Sequence, residues 1–181
     1  MDHDQRGAFL WETIGRIDQN ISATNTKAGM ILALNTFLLG GAALQADRYL
    51  KPLLDDGWWW GGAVALIALL GAACFVSMLI TFSVIQPFLN PSKGFQDYKS
   101  LIFFGDIASH ADGRAYAMAH QQQGHEELLE DLARQAHVVA DIAKTKFDRL
   151  RLATRLAVFF QFPLLAGLLL IQLVTAAGSA S

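Results

Sequence analysis

GWWWGGAVALIALLGAACFVSMLITFSVIQPFLNPS, residues 57–92, contains no Asp, Glu, Lys or Arg. A membrane-crossing helix needs about 20 consecutive, mostly apolar residues, so this stretch is long enough to span a bilayer. Trp58-Trp59-Trp60 read as an interfacial aromatic anchor at its start, and Gln86-Pro87 marks its end. Two more tracts, 28–46 and 156–181, are equally free of charge. The first carries Gly29, Gly40 and Gly41 with Asn35 and Thr36 near its middle. The last contains Pro163, which a span tolerates.

The bulk numbers agree. Hydrophobic residues make up 53% and charged residues 17% of 181, against about 45–50% and about 25% in soluble domains. Mean hydropathy is +0.32. These values exclude a secreted enzyme, a disulfide scaffold and a disordered chain. The single cysteine, Cys74, lies inside the second tract and reads as a small packing residue. A net charge of −2 gives no sign of a nucleic-acid partner. The acidic opening Met1-Asp2-His3-Asp4 does not resemble a cleavable signal, so the first tract is expected to act as an uncleaved anchor.

Lys and Arg counts orient the spans. Residues 1–27 hold Arg6, Arg16 and Lys27, and the short loop after span one holds only Arg48 and Lys51, offset by three Asp. Residues 87–155 hold nine, with Lys144, Lys146, Arg149, Arg151 and Arg155 crowded before span three. The positive-inside rule puts the N-terminus and 87–155 in the cytoplasm and the C-terminus outside. The expected organisation is a cytoplasmic stalk at 1–27, spans at 28–46, 58–86 and 156–177, a short external loop at 47–57, a cytoplasmic sensor segment at 87–155 and an external tail at 178–181.

Leu10, Ile14, Ile17, Ile21, Thr24 and Ala28 are spaced 4-3-4-3-4, a heptad seam running into span one. This predicts one helix from about Ala8 to about Leu44. Leu128, Leu132, Gln135, Val139, Ile142, Lys146 and Leu150 form a second seam, predicting one helix from about Glu126 to Ala176. Glu126, Glu127, Glu130 and Asp131 crowd its start, as suits a helix N-terminus. Between them, Asn90-Pro91-Ser92 and Gly94 read as a turn, Leu101-Ile102-Phe103-Phe104 as a strand or extended piece, and Ser109 as the N-cap of a helix at about 110–122. The fold class is an all-α membrane protein with three transmembrane helices, two of them extending as long helices into a small cytoplasmic helical sensor. Such a sensor has little of its own to bury its apolar stripes against, which predicts a homo-oligomer.

Catalytic signatures are scarce: GxSxG, HExxH, GxGxxG and a Walker loop are all missing from the chain. His110, His120, His125 and His137 share one segment and read as solvated helix residues rather than metal ligands. Asn35, Ser77, Thr81, Gln161 and Gln172 read as hydrogen bonds between spans, or as the lining of a pore. The basic run 144–155 has two readings: a headgroup collar, or a face where Lys146 or Arg149 meets an anionic ligand. Lys27, at the membrane end of the first helix, has the same two. Phe103-Phe104-Gly105-Asp106 also reads two ways. The rings stack a base while Asp106 accepts from an amine or ribose hydroxyl, or the rings plug a core while Asp106 caps a turn.

Several short motifs occur in a telling order: Asn25-Thr26-Lys27-Ala28, then Ile85-Gln86-Pro87, then Ile102-Phe103-Phe104-Gly105-Asp106-Ile107. Asp131, Gln135, Ile142-Ala143, Lys146-Phe147, Arg151 and Ala153 follow. Over about residues 8–175 this pattern resembles the transmembrane effectors of Pycsar anti-phage systems; Phe147 stands where that family is expected to have Tyr. The resemblance implies a bacterial inner-membrane protein, not an enzyme and without a cofactor. Its cytoplasmic part would bind cyclic CMP or cyclic UMP made by a partner cyclase, then impair the membrane and arrest or kill the cell. On this reading Lys27, Lys146 or Arg149 meets the phosphate, and Phe103, Phe104 and Asp106 meet base or ribose. Two rivals stand beside it: a membrane scaffold recruiting a partner coiled coil through its seams, and a membrane-face enzyme using His120 and His125.

Overall fold

The computed structural model describes residues 2–54, 57–87 and 99–178. These residues are helical throughout, with short connections and no strand among them. Three helices are long and apolar enough to cross a membrane. The fold class is therefore the one the charge-free tracts imply.

Helix α1 runs His3–Leu50, five residues earlier and six later than its seam alone suggested. Asp2 and Gln5 explain the early start. The Asp2 carboxylate accepts from the His3 amide at 2.7 Å, and the Gln5 side-chain oxygen accepts from the Asp2 amide at 3.3 Å, in the manner of a capping box. At the other end nothing breaks the helix before Pro52. Helix α2 spans Gly57–Ile85.

The 101–104 run is not a strand. Helix α3, Phe104–Ala108, begins within it. Short apolar runs are ambiguous in period, and the Ser100 hydroxyl bends this one by accepting from the Ile102 and Phe103 amides at 3.1 and 3.0 Å. Ser109 is not an N-cap either. It closes α3, its hydroxyl donating to the Asp106 carbonyl. Helix α4, Gly113–Gln122, is capped by Asp112, whose carboxylate accepts from the Ala115 amide at 2.7 Å. The turn expected at Asn90-Pro91-Ser92 and Gly94 lies outside the described residues.

Helix α5, His125–Leu156, starts where the Glu127 side chain reaches back to the Gly124 amide at 3.1 Å. A π turn at Ala157–Gln161 then leads into α6, Phe162–Gly178. Pro163 accounts for the turn: it has no N–H, and its ring crowds the carbonyl four residues back. The chain widens there, and the Phe162 amide bonds the Ala157 carbonyl five residues before it.

The chain divides into two compact units. The membrane unit comprises 24–86 and 147–181. Its interior holds Leu38, Tyr49, Leu70, Cys74 and Leu168, with a second cluster of Ala28, Val84 and Leu150. Phe37, Phe75, Phe82, Leu170 and Leu173 are exposed, as lipid-facing side chains of a span are. Fully buried polar groups join the spans: Asn35 Nδ2 donates to Ser77 Oγ at 3.0 Å, and Gln161 Nε2 to the Ala73 carbonyl at 3.3 Å. Such bonds hold helices together where apolar burial supplies no driving force.

The polar unit comprises 1–23 and 87–146. Its core is Ile14 of α1 with Leu132 and Ala136 of α5, flanked by Leu10 and Ile102. The two seams thus bury against each other inside one chain. The premise that one copy has nothing to cover its stripes is corrected, because a seam needs a facing helix and α1 and α5 supply it mutually.

Candidate functional site

The polar unit carries a cleft of about 260 Å³ lined by Trp11, Leu101, Ile102, Ile107, Tyr116, His120 and Leu128. Each wall follows from local structure. Trp11 stands next to seam residue Leu10, off the seam, and is 57% exposed. Tyr116 and His120 are one turn apart on α4 and so share a face; their ring centroids are 6.4 Å apart. Leu128 comes from the first turn of α5.

The floor is pinned through the Leu101 backbone. Its carbonyl accepts from the Tyr116 hydroxyl at 2.9 Å, and its amide donates to Asp131 Oδ2 at 2.8 Å. Asp131 is 1% exposed, and its Oδ1 has no hydrogen-bond partner among the described residues. The His110 ring meets Tyr116 edge-on at 5.6 Å, and its buried Nε2 is likewise open. An apolar, aromatic cleft with a few buried polar groups beside it is the usual form of a small-molecule site.

The residues singled out in the sequence are distributed differently. Phe103 is buried and Phe104 is 62% exposed, with ring centroids 4.7 Å apart. The Asp106 carboxylate accepts from the Ser100 amide at 3.0 Å. Lys146 is a buried seam residue, 4% exposed, and has an interaction partner. These four belong to the polar unit, whereas Lys27 and Arg149 belong to the membrane unit. Lys27 is exposed. Arg149 donates to the Ser83 carbonyl at 2.9 Å, capping an unpaired carbonyl in the last turn of α2.

Trp11, Tyr116 and the role of Asp131 were not found from the sequence. The available signals were a tryptophan in a polar segment one place off a seam, and an acid directly beside the seam position Leu132 of α5. His120 lines the cleft, and His125 meets the His3 ring at 5.6 Å. Among the described residues, no three His, Cys, Asp or Glu are grouped to hold a metal.

Fold and site define a three-span membrane protein with a ligand-sized cleft in its polar unit. The family model for the Pycsar effector protein domain matches residues 9–174, and the chain belongs to that family. It is similar to the Pycsar effector protein EcPycTM of Escherichia coli, 26% identical over 138 residues covering 76% of this chain and 75% of the relative. No solved structure matches the chain. It is a membrane effector of the anti-phage kind, in a family not known for enzymes.

Proposed function

We propose that this protein is an inner-membrane effector that binds a cyclic pyrimidine nucleotide, cyclic CMP or cyclic UMP, through its polar unit. Binding then impairs membrane integrity and arrests or kills the infected cell. The N-terminus and the 87–155 segment lie in the cytoplasm, where a partner cyclase supplies the signal, and the C-terminus lies outside. The observation that carries the reading is the match of the Pycsar effector domain over 9–174 to a chain with a cleft in its non-membrane unit. Helices α1 and α5 each contribute residues to both units without a break at the boundaries after Ala23 and Lys146. A ligand acts through such helices only if it favours one packing over another.

Copies assemble as a homo-oligomer in the membrane on this reading, although the seams no longer argue for it. The scaffold alternative loses its motive, since both seams are occupied within the chain.

The test is thermal unfolding of the full chain in detergent with cyclic CMP, cyclic UMP, cyclic AMP and cyclic GMP, followed by dye release from liposomes. A ligand that binds only the folded state raises the midpoint. A shift with one pyrimidine nucleotide, with dye release at the same concentrations, is expected. Folded protein indifferent to all four ends the reading.

A further inference from the structure

We propose that the cleft between Trp11 and Tyr116 is a nucleobase pocket, in which a single-ring base stacks on aromatic side chains while its phosphate stays at the mouth. The proposal rests on the cyclic-nucleotide reading above and adds where and how the ligand is held.

Four observations carry it. The lining includes a tryptophan, a tyrosine and a histidine but no Lys or Arg. A phosphate taken inside would lose its water without gaining a cation, which is costly; a base has an uncharged face that stacks on aromatic rings. The volume, about 260 Å³, falls just below the roughly 300–1,000 Å³ of pockets for drug-sized ligands, which is room for a base; the single ring follows from the cyclic-pyrimidine reading. Trp11 is 57% exposed and belongs to the polar unit, so its ring face is available to a ligand. Finally, the buried Asp131 carboxylate accepts from the Leu101 amide at 2.8 Å, which fixes the floor of the cleft beneath the rings.

The rings are held in place beforehand. Tyr116 is tied through its hydroxyl to the Leu101 carbonyl at 2.9 Å and flanked by His110 and His120. Phe103 and Phe104 are not the platform in this assignment, because neither lines the cleft.

The local probe is Trp11 itself. The chain has four tryptophans, so Trp58→Phe, Trp59→Phe and Trp60→Phe together leave Trp11 as the only one. In full-length protein in nanodiscs, cyclic CMP or cyclic UMP should quench its emission and ribose 5-phosphate should not; cyclic AMP and cyclic GMP should require higher concentrations. Calorimetry on chains retaining Trp58–Trp60 gives the second measurement. Trp11→Ala should weaken binding about 5- to 150-fold, by analogy with stacked bases elsewhere. Trp11→Phe should restore part of it, and Leu128→Trp, which fills the cleft, should abolish it.

If the unaltered chain binds but Trp11→Ala and Leu128→Trp bind equally well, the pocket assignment is wrong and the functional reading survives. If the unaltered folded chain binds none of the four nucleotides, both fall together. If Trp11→Ala instead changes only the oligomer mass by light scattering, Trp11 meets a second copy and the assignment is overturned.

Discussion

Asp131→Ala tests the bond on which the cleft floor depends. Asp131 Oδ2 accepts from the Leu101 amide at 2.8 Å, and the two residues are 1% and 5% exposed. Removing the carboxylate leaves a buried N–H without its acceptor. An orphaned buried donor costs about 1–3 kcal/mol. Hydrogen exchange at this amide proceeds by local or global opening. With 1.4 kcal/mol per factor of ten, a loss near 2 kcal/mol accelerates exchange about 30-fold. The assay is exchange followed by mass spectrometry on a peptide covering 99–105, in full-length protein in nanodiscs, with peptides from α2 as internal reference. Asp131→Asn keeps an acceptor oxygen and should accelerate exchange less. The Tyr116 hydroxyl bond to the same residue remains in both variants, so the opening stays local. Exchange over 99–105 unchanged in Asp131→Ala would refute the view that this carboxylate holds the segment.

Gly105→Ala should destabilise the polar unit by about 1–3 kcal/mol, as overpacking does. A Cβ there would lie 2.6 Å from the ring of Phe103, which is buried and has little room to yield; faster exchange over 99–108 is the readout. Asn35→Leu should weaken the membrane unit by about 0.6–1.7 kcal/mol, the range for hydrogen bonds between spans. It removes the 3.0 Å bond to Ser77, and a steric-trapping measurement of unfolding in bicelles reads the change. Arg149→Ala should destabilise the C-terminal end of α2 by about 1 kcal/mol through loss of a charged cap on the Ser83 carbonyl. Exchange at the end of α2 should rise while that over 99–105 stays constant. If ligand affinity falls with α2 exchange unchanged, Arg149 is a ligand contact rather than a cap.

The spans were legible in the sequence because their cause is compositional. A stretch without charge that is long enough to cross a bilayer can be read from any one of its residues onward, and no tertiary contact is needed to make it helical. The seams were legible for a similar reason. Ile14, Thr24 and Ala28 of the first, and Leu132, Val139, Lys146 and Leu150 of the second, are buried, and a 3-4 spacing puts such residues on one side of a helix whatever faces it. Helix ends were less legible. Asp2 and Gln5 begin α1 through side-chain bonds that hydrophobic spacing does not report.

The site depended on tertiary structure. Phe103, Phe104 and Asp106 are adjacent in sequence, yet one ring is buried, the other exposed, and the carboxylate is engaged by the Ser100 amide. The cleft instead draws Trp11 from α1, Leu101, Ile102 and Ile107 from the segment around α3, Tyr116 and His120 from α4 and Leu128 from α5. Period and composition determine what a helix is and which side it buries. Which residues meet across a cavity depends on how helices far apart in the chain pack, and no local pattern encodes that distance.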